Sequence, residues 1–443
     1  MPNVQKYLIQ IEHQASGPSD SMKGLFVGSY MKDYARENNS PNILLESDHT
    51  LLNANSSDIL TLSYSTTVPP PVQMPDFMNW PHISSVNKTH WNPHHILYMK
   101  THKTGSSTIF SLLTRYGLKH NLTFALPKNV SNSLGWPKPF SRRRDMRPIK
   151  KDKPDILYYH SVLSESMLRT MPRDSFYFTS LREPYSQLKS SYSYYNLDHC
   201  EGLSKRLVSA PANLAINNVT ECRRVVVKNS QMYDLGMPFD LMDDEEIVNR
   251  TILALDKLLH FVMVLDYFDE SLILLRDLLG MSTQDILYFK SNFRSPTVTK
   301  LTDNAVQLNA TTYKSVQRWL RADYLLYNHF KTKLEHMMKD HRSYLDKEIA
   351  KLKASQDVWM RHCVLQRLPG MEINDTRFQP YGEGTYGYEL TEEGLQNKTC
   401  IEFAAVELYN VCMLSKTQSY GMTEEILKNS KTTKKPNKVA MLC

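Results

Sequence analysis

The stretch Lys100-Thr-His-Lys-Thr-Gly-Ser-Ser-Thr108 decides the fold because of what stands on either side of it. Before it, His95-Ile-Leu-Tyr-Met99 is a short apolar run typical of a buried strand. After it, apolar residues recur at helical spacing from Ile109 to Tyr116, and Gly117 is predicted to cap the helix. Strand, glycine-containing loop and helix in this order predict the opening of an α/β fold.

Three further apolar runs predict strands, and helical patterns separate them. The runs are Asp155–Tyr159, Phe176–Leu181 and Phe261–Leu265, and the helical patterns cover 184–195, 243–259, 269–279 and 312–353. This alternation predicts a central, mostly parallel sheet flanked by helices. Ligands then bind at the carboxyl ends of the strands, where Lys103, His160 and Arg182 fall.

The loop from Lys103 to Thr108 suits an anion. A loop that leads into a helix presents backbone N–H groups at the helix N-terminus, where the dipole favours negative charge. Lys103 adds a positive charge, and Gly105 lets the backbone approach a ligand closely. This is not a Walker A motif, because the lysine precedes the glycine. Taken alone, the pattern also fits a Ser/Thr-rich helix cap.

Arg182 and Ser190 form a second candidate element. Arg182 ends a predicted strand, Pro184 opens a helix, and Ser190 lies about two helical turns further on. An arginine fork and a hydroxyl so placed fit one phosphate group. Taken alone, the pair also fits an ordinary surface arginine beside a structural serine.

Together these motifs resemble the galactose 3-O-sulfotransferase family, which includes galactosylceramide sulfotransferase. The resemblance spans about residues 91–345. It rests on Lys100–Thr108, Leu181-Arg-Glu-Pro184, Ser190–Tyr195, Tyr233-Asp-Leu-Gly236, Asp266–Ser271 and Tyr288–Arg294. It implies a P-loop-NTPase-like sulfotransferase fold and transfer of sulfate from PAPS (3′-phosphoadenosine 5′-phosphosulfate) to the 3-hydroxyl of galactose, in a glycolipid such as galactosylceramide or in a glycoprotein glycan.

The resemblance also implies roles for individual residues. The PAPS-binding set is Lys103, Thr104, Gly105, Ser106, Ser107, Thr108, Arg182 and Ser190. Lys103 is expected to stabilise the leaving phosphate. Two histidines compete for the role of general base, and we favour His160 over His102, which lies beside Lys103. The reaction needs no metal.

Other polar residues near the motifs are candidates for further roles. Asp234 and Asn229 are candidates to meet the acceptor sugar, although an Asp before Leu-Gly is more often a turn residue. Asp266 and Asp269 are predicted to cap the helix after the fourth strand. Tyr192, Tyr194 and Tyr195 are candidates to stack on adenine or sugar, although tyrosines at helical spacing are more often core.

Three classes of function remain open at this point. The first is sulfation of galactose or of another glycan hydroxyl. The second, a P-loop kinase or NTPase, is disfavoured by the missing Walker A motif. The third, a non-catalytic glycan- or nucleotide-binding relative, is expected to lose the residues that carry the chemistry, and all of them are present.

Composition fits a globular enzyme with a small anionic ligand. Hydrophobic residues make up 41% of the 443 and charged residues 22%, and the formal net charge of +7 falls short of the dense basic face of a nucleic-acid binder. We therefore expect a β-galactoside acceptor and no nucleic acid as partner, and the resemblance leaves room for a homodimer.

Sequons and cysteines favour the secretory pathway. Candidate glycosylation sites are Asn87, Asn121, Asn129, Asn218, Asn249, Asn309, Asn374 and Asn397. Cys200 with Cys222, and Cys363 with Cys400 or Cys412, are candidate disulfides.

The predicted organisation is a disordered stem over 1–90, a sulfotransferase domain over 91–414 and a basic flexible tail over 415–443. The resemblance implies membrane association on the lumenal side of the Golgi, through a type II anchor. Residues 1–33 contain no apolar run of the required length. Either the chain reaches the lumen by an unconventional route or the sequence lacks its true start, and we favour the second explanation.

Overall fold

Four parallel strands form the central sheet in a computed structural model of the chain, in the order β2–β1–β3–β4. They are β1 (Asn92–Met99), β2 (Ile156–Leu157), β3 (Ser175–Leu181) and β4 (Phe261–Val264). Apart from the first four residues of β1, their side chains are all buried, which explains why the strands read as apolar runs rather than as alternating patterns. The predicted α/β fold with a parallel sheet is confirmed.

The structure describes residues 87–128, 131–195, 224–291, 293–294, 310–380 and 385–418. All of them fall in one compact unit. The predicted stem, apart from its last four residues, and the predicted tail from residue 419 onward lie outside the described residues.

Two strands are shorter than the sequence predicts. β2 covers only Ile156 and Leu157, because the chain then turns to a new partner: the N–H of Leu134 donates to the carbonyl of His160 over 2.8 Å. β4 ends at Val264, because a 3₁₀ turn begins at the next residue.

Helices fill most of the remaining described chain. They are α1 (Ser106–Lys119), α2 (Arg142–Asp145), α3 (Glu165–Thr170), α4 (Pro184–Tyr194), α5 (Ser230–Asp234), α6 (Glu245–Leu258), α7 (Phe268–Leu279), α8 (Thr283–Ile286), α9 (Ala310–Trp319), α10 (Arg321–Lys339), α11 (Arg342–Cys363), α12 (Glu392–Gln396), α13 (Lys398–Ala404) and α14 (Glu407–Thr417). Short 3₁₀ turns lie at Arg224–Val226, Phe239–Leu241, Leu265–Tyr267 and Gly370–Glu372.

The prediction that Gly117 caps α1 is wrong. The helix continues to Lys119, and His120 follows it as the C-cap. A Cβ atom on Gly117 would lie 2.3 Å from the ring of Phe124 and 2.9 Å from Cδ1 of Ile156. The glycine is therefore explained by the close packing of α1 against the sheet.

The long helical region is interrupted. The pattern over 312–353 resolves into α9, α10 and α11, with breaks at Leu320 and at Asp340–His341, and α11 runs on to Cys363. α14 likewise ends at Thr417, so the first residues assigned to the tail are helical.

A second, antiparallel sheet was not predicted. Its strands are β5 (Phe293–Arg294), β6 (Val364–Pro369) and β7 (Thr385–Leu390), in the order β5–β7–β6. A disulfide between Cys363 and Cys400 joins the end of α11 to α13. Among the described helices, none is long and apolar enough to cross a membrane.

Candidate functional site

The loop between β1 and α1 lies at the carboxyl ends of β1 and β3. Its shape is fixed by hydroxyl contacts: Thr101 Oγ1 donates to the carbonyl of Ser180 over 2.5 Å, and Thr104 Oγ1 lies 2.9 Å from Ser180 Oγ. Lys103 and Gly105 have left-handed backbones, with φ of 61° and 77°. Two left-handed residues so close together fold the chain into a tight turn just before the helix.

Gly105 is required at its position for two reasons. Its left-handed φ strains any residue with a side chain, and a Cβ atom there would lie 2.8 Å from Cδ1 of Leu265. Among the described residues, no acceptor faces the backbone N–H groups of Thr104, Gly105 and Ser106. These groups lie at the N-terminus of α1, which makes them suitable donors to an anion.

The hydroxyls predicted to bind PAPS are engaged within the protein. Ser106 Oγ donates to the carbonyl of Thr101 over 3.0 Å, and Ser107 Oγ donates to Glu407 over 3.0 Å. Thr108 Oγ1 accepts from the N–H of Ser291 over 3.2 Å. In this structure these side chains shape the loop, and its backbone offers the donors.

Arg182 lies directly against the loop. Its Nη1 donates to the carbonyl of Lys103 over 3.2 Å. Its own backbone is held on both sides by the amide of Gln231, which accepts from the Arg182 N–H over 2.8 Å and donates to the Arg182 carbonyl over 3.0 Å. The structure therefore brings together two cationic residues that are 79 positions apart in the sequence.

Lys103 also reaches the helix that carries Ser190. The Lys103 ammonium lies 3.4 Å from the centroid of the Tyr194 ring, a cation–π contact. Tyr194 follows Ser190 by four residues on α4, so both stand on one face of that helix. Contacts thus link Lys103 to both Arg182 and α4, and phosphate binding by these elements stays a prediction.

His102 is buried and paired with a carboxylate. Asp234 Oδ2 accepts from both the backbone N–H and the Nδ1 of His102, each over 2.8 Å. Trp136 Nε1 donates to Asp234 Oδ1 over 2.9 Å, and the Trp136 ring lies 4.4 Å from that of His102. Because Nδ1 carries the proton in this contact, Nε2 of His102 is the proton acceptor.

His160 stacks on His102. The two ring centroids are 3.9 Å apart, and His160 Nδ1 lies 3.1 Å from the carbonyl of Lys100. That contact again leaves Nε2 as the acceptor. Burial, together with the charges of His102, Lys100 and Lys103, holds the pKa of His160 well below the usual histidine value. Both candidate bases therefore lie beside the loop between β1 and α1.

A buried ion pair underlies the loop and was not predicted. Lys100 Nζ lies 2.6 Å from Glu407 Oε1, and the Lys100 side chain is fully buried. Burial lowers the pKa of Lys100, and the attraction of Glu407 opposes that shift. Glu407 is thus the counter-ion of Lys100 beneath the loop. Glu407 stands 307 residues away on α14, so no local pattern links the two.

The remaining sequence candidates have structural contacts. Asp266 and Asp269 do not cap α7, whose N-cap Tyr267 has no side-chain cap bond. They accept instead from the hydroxyls of Tyr327 and Tyr288, respectively. Asn229, at the start of α5, accepts from the N–H of Asp323 over 3.2 Å.

The glycosylation and disulfide candidates divide by location. Asn87, Asn121, Asn249 and Asn374 are exposed, whereas Asn397 is half-buried and caps α13 through its Oδ1. Cys363 is bonded to Cys400, one of the two pairings named for it, and Cys412 is disulfide-bonded as well. Asn129, Asn218, Asn309, Cys200 and Cys222 lie outside the described residues.

Comparisons with known proteins find one family of similar sequences. The family model for galactose-3-O-sulfotransferase matches residues 42–418. Galactose-3-O-sulfotransferase 2 of Mus musculus is 32% identical over 349 residues, which cover 73% of this chain and 85% of that protein. Galactose-3-O-sulfotransferase 3 of Homo sapiens is 30% identical, covering 74% and 78%. Galactosylceramide sulfotransferase of Bos taurus is 30% identical, covering 67% and 71%.

Proposed function

The chain belongs to the galactose-3-O-sulfotransferase family, and we propose that it transfers a sulfuryl group from PAPS to the 3-hydroxyl of galactose in a glycolipid or a glycoprotein glycan. The contact that supports this most directly is the one between Arg182 and Lys103. It holds the Arg182 guanidinium against the backbone of the loop that leads into α1 and carries Lys103, and two cationic residues suit a donor with phosphate at both ends.

The donor is assigned to the loop and to α4. The backbone N–H groups of Thr104, Gly105 and Ser106 are the proposed ligands of the 5′-phosphosulfate. Arg182 and Ser190 are the proposed ligands of the 3′-phosphate. Tyr194, whose ring contacts Lys103, is then well placed to keep that lysine near the phosphosulfate.

We propose His102, rather than His160, as the general base. Asp234 stabilises the imidazolium that forms when Nε2 of His102 accepts a proton. By contrast, burial and the neighbouring cations disfavour a charge on His160. His160 is then a positioning residue that supports the His102 ring by stacking.

The proposed step balances without a metal or an oxidant. The galactose oxygen attacks sulfur and forms an O–S bond as the bond between sulfur and the bridging phosphate oxygen breaks. The hydroxyl proton passes to Nε2 of His102. The electron pair of the broken bond stays on the phosphate oxygen, where Lys103 stabilises the charge.

Radiolabelled PAPS tests the assignment of the donor site. Wild-type protein should transfer label to galactosylceramide or to N-acetyllactosamine, and Lys103→Ala and Arg182→Ala should abolish donor binding or turnover. Arg173→Ala, at an exposed arginine, is the matched control and should behave as wild type. Unchanged kinetics in the Lys103 and Arg182 variants would refute the site.

Two alanine variants separate the histidines. His102→Ala should lose turnover while it still binds PAPS, whereas His160→Ala should keep measurable turnover. The reverse result would assign the base to His160.

The location and assembly of the enzyme are also proposals. We infer the lumenal side of the Golgi membrane, which the Cys363–Cys400 disulfide and the exposed sequons support. A homodimer is the proposed assembly, and light scattering on the purified protein tests it.

Digestion with an endoglycosidase tests whether the exposed sequons are glycosylated.

A further inference from the structure

A basic surface follows directly after Trp136, whose ring lies beside His102. Residues 137–153 contain eight lysines and arginines but only two aspartates, a formal excess of six in a chain whose whole excess is +7. We name as the basic strip its residues Lys138, Arg142, Arg143, Arg144, Lys150 and Lys151. All are exposed except Arg142, which is half-buried.

The strip is fixed relative to the site. Pro137, next to Trp136, accepts from the hydroxyl of Tyr233 over 2.6 Å. The carboxylate of Asp145, at the end of α2, packs so closely on Gly135 that a Cβ atom there would lie 2.4 Å from it. Asp145 also accepts from the backbone N–H of Ser141 over 2.8 Å. Helix α2, which carries three arginines of the strip, is thus packed against the residues next to Trp136.

Few acidic groups offset this charge. Asp145 is buried and pairs with Arg144 over 2.7 Å, and Lys151 pairs with Asp155 over 2.7 Å. The exposed side chains of Lys138 and Arg143 have no carboxylate partner among the described residues. The surface beside Trp136 therefore keeps a positive excess.

We propose that the basic strip binds an acidic sugar chain, so that acceptors with a carboxylate or sulfate group near the terminal galactose are preferred substrates. This inference rests on the proposed function. Lys138 is two residues from Trp136, within about 7 Å of chain, so the strip begins within reach of the sugars next to the reacting one. Arginine forks suit carboxylate and sulfate groups.

An anionic membrane is the competing partner, and the surface does not favour it. A bilayer-binding face combines basic with apolar exposed side chains. The exposed large hydrophobic residues of the described chain all lie elsewhere, at Leu118, Leu253, Tyr344, Val358, Leu365, Met371, Leu395 and Met413. The strip is purely cationic, which fits a hydrated polyanion.

Charge reversal with a matched control tests the proposal. The test variant is Lys138→Glu/Arg143→Glu, and the control is Lys257→Glu/Lys347→Glu, which reverses two exposed lysines on α6 and α11. The acceptors are two oligosaccharides that end in β-galactose, one neutral and one with an internal carboxylate-bearing sugar. Vesicles with and without phosphatidylserine form the membrane arm.

We expect wild type and control to prefer the acidic acceptor, and the test variant to raise its KM about tenfold with kcat unchanged. KM for the neutral acceptor should stay within about twofold, and added salt should weaken the preference. Equal KM values for both acceptors in wild type, or a variant that loses only vesicle binding, would overturn the proposal. If wild type sulfates neither acceptor, the proposed function itself has failed.

Discussion

The rings of His102 and His160 are stacked with their centroids 3.9 Å apart and their planes 18° from parallel. Burial and the neighbouring charge of His102 both lower the pKa of His160. Asp234 contacts only His102 of the two, through Nδ1. The proposal of His102 as the general base rests on this difference between the two rings.

Replacing Asp234 should slow the chemical step rather than weaken donor binding. We expect Asp234→Asn to lower kcat by about a hundredfold or more, because an amide does not stabilise the His102 imidazolium. The KM for PAPS should change little. Asp243→Asn, at an exposed carboxylate paired with Lys228, is the control for steady-state kinetics. A kcat close to wild type would show that Asp234 is only structural.

Removing Glu407 should destabilise the protein. Glu407→Ala leaves the ammonium of Lys100 buried without its partner, so the free energy of unfolding should fall by about 3 kcal/mol. Urea denaturation measures this.

The double variant Lys100→Met/Glu407→Leu buries no charge and should recover about half of the loss. If the double variant is no more stable than Glu407→Ala, the ion pair is not the reason for the loss.

Two glycines with positive φ allow the effect of backbone strain to be separated from an effect on PAPS binding. Gly105→Ala and Gly280→Ala each place a side chain in a left-handed backbone, at a cost of about 1 kcal/mol. At Gly280 the new Cβ meets nothing within 4 Å, whereas at Gly105 it meets Leu265. We therefore expect only Gly105→Ala to weaken PAPS binding, as measured by calorimetry. Equal donor affinity in both variants would contradict the role of the loop.

Acidification should destabilise the protein through His260. Burial lowers the pKa of His260 to about 4, while its Nδ1 accepts from the N–H of Tyr177 over 3.0 Å. A depressed pKa means that stability is present above the unfolded-state value of about 6.5 and is lost as the pH falls toward 4. Over that range the loss amounts to about 3 kcal/mol.

The variant His260→Asn removes this titration. Its unfolding free energy should depend less on pH between 6.5 and 4 than that of wild type. Parallel curves for the two proteins would contradict the assignment.

The sequence predicts the parts of the site that local pattern controls. Lys103 and Arg182 each follow an apolar run, and parallel strands place their carboxyl ends at one edge, so their proximity follows from the fold. His160 falls beyond a predicted strand for the same reason.

Contacts between distant segments could not be predicted. Glu407 pairs with Lys100 across 307 residues, and nothing near either residue indicates the other. The second sheet was missed because β5 is only two residues long and β6 is largely exposed. Gly117 could not be interpreted for the same reason, because the need for a glycine there comes from close packing against Phe124.

The position of sulfation tests the central claim most directly. Wild-type protein is incubated with radiolabelled PAPS and either N-acetyllactosamine or an analogue whose galactose lacks the 3-hydroxyl. We predict that label enters the first acceptor alone and that NMR of the product places the sulfate on galactose O3. Label in both acceptors would contradict the assignment of the protein as a galactose 3-O-sulfotransferase. The absence of label from both acceptors and from galactosylceramide would contradict it as well.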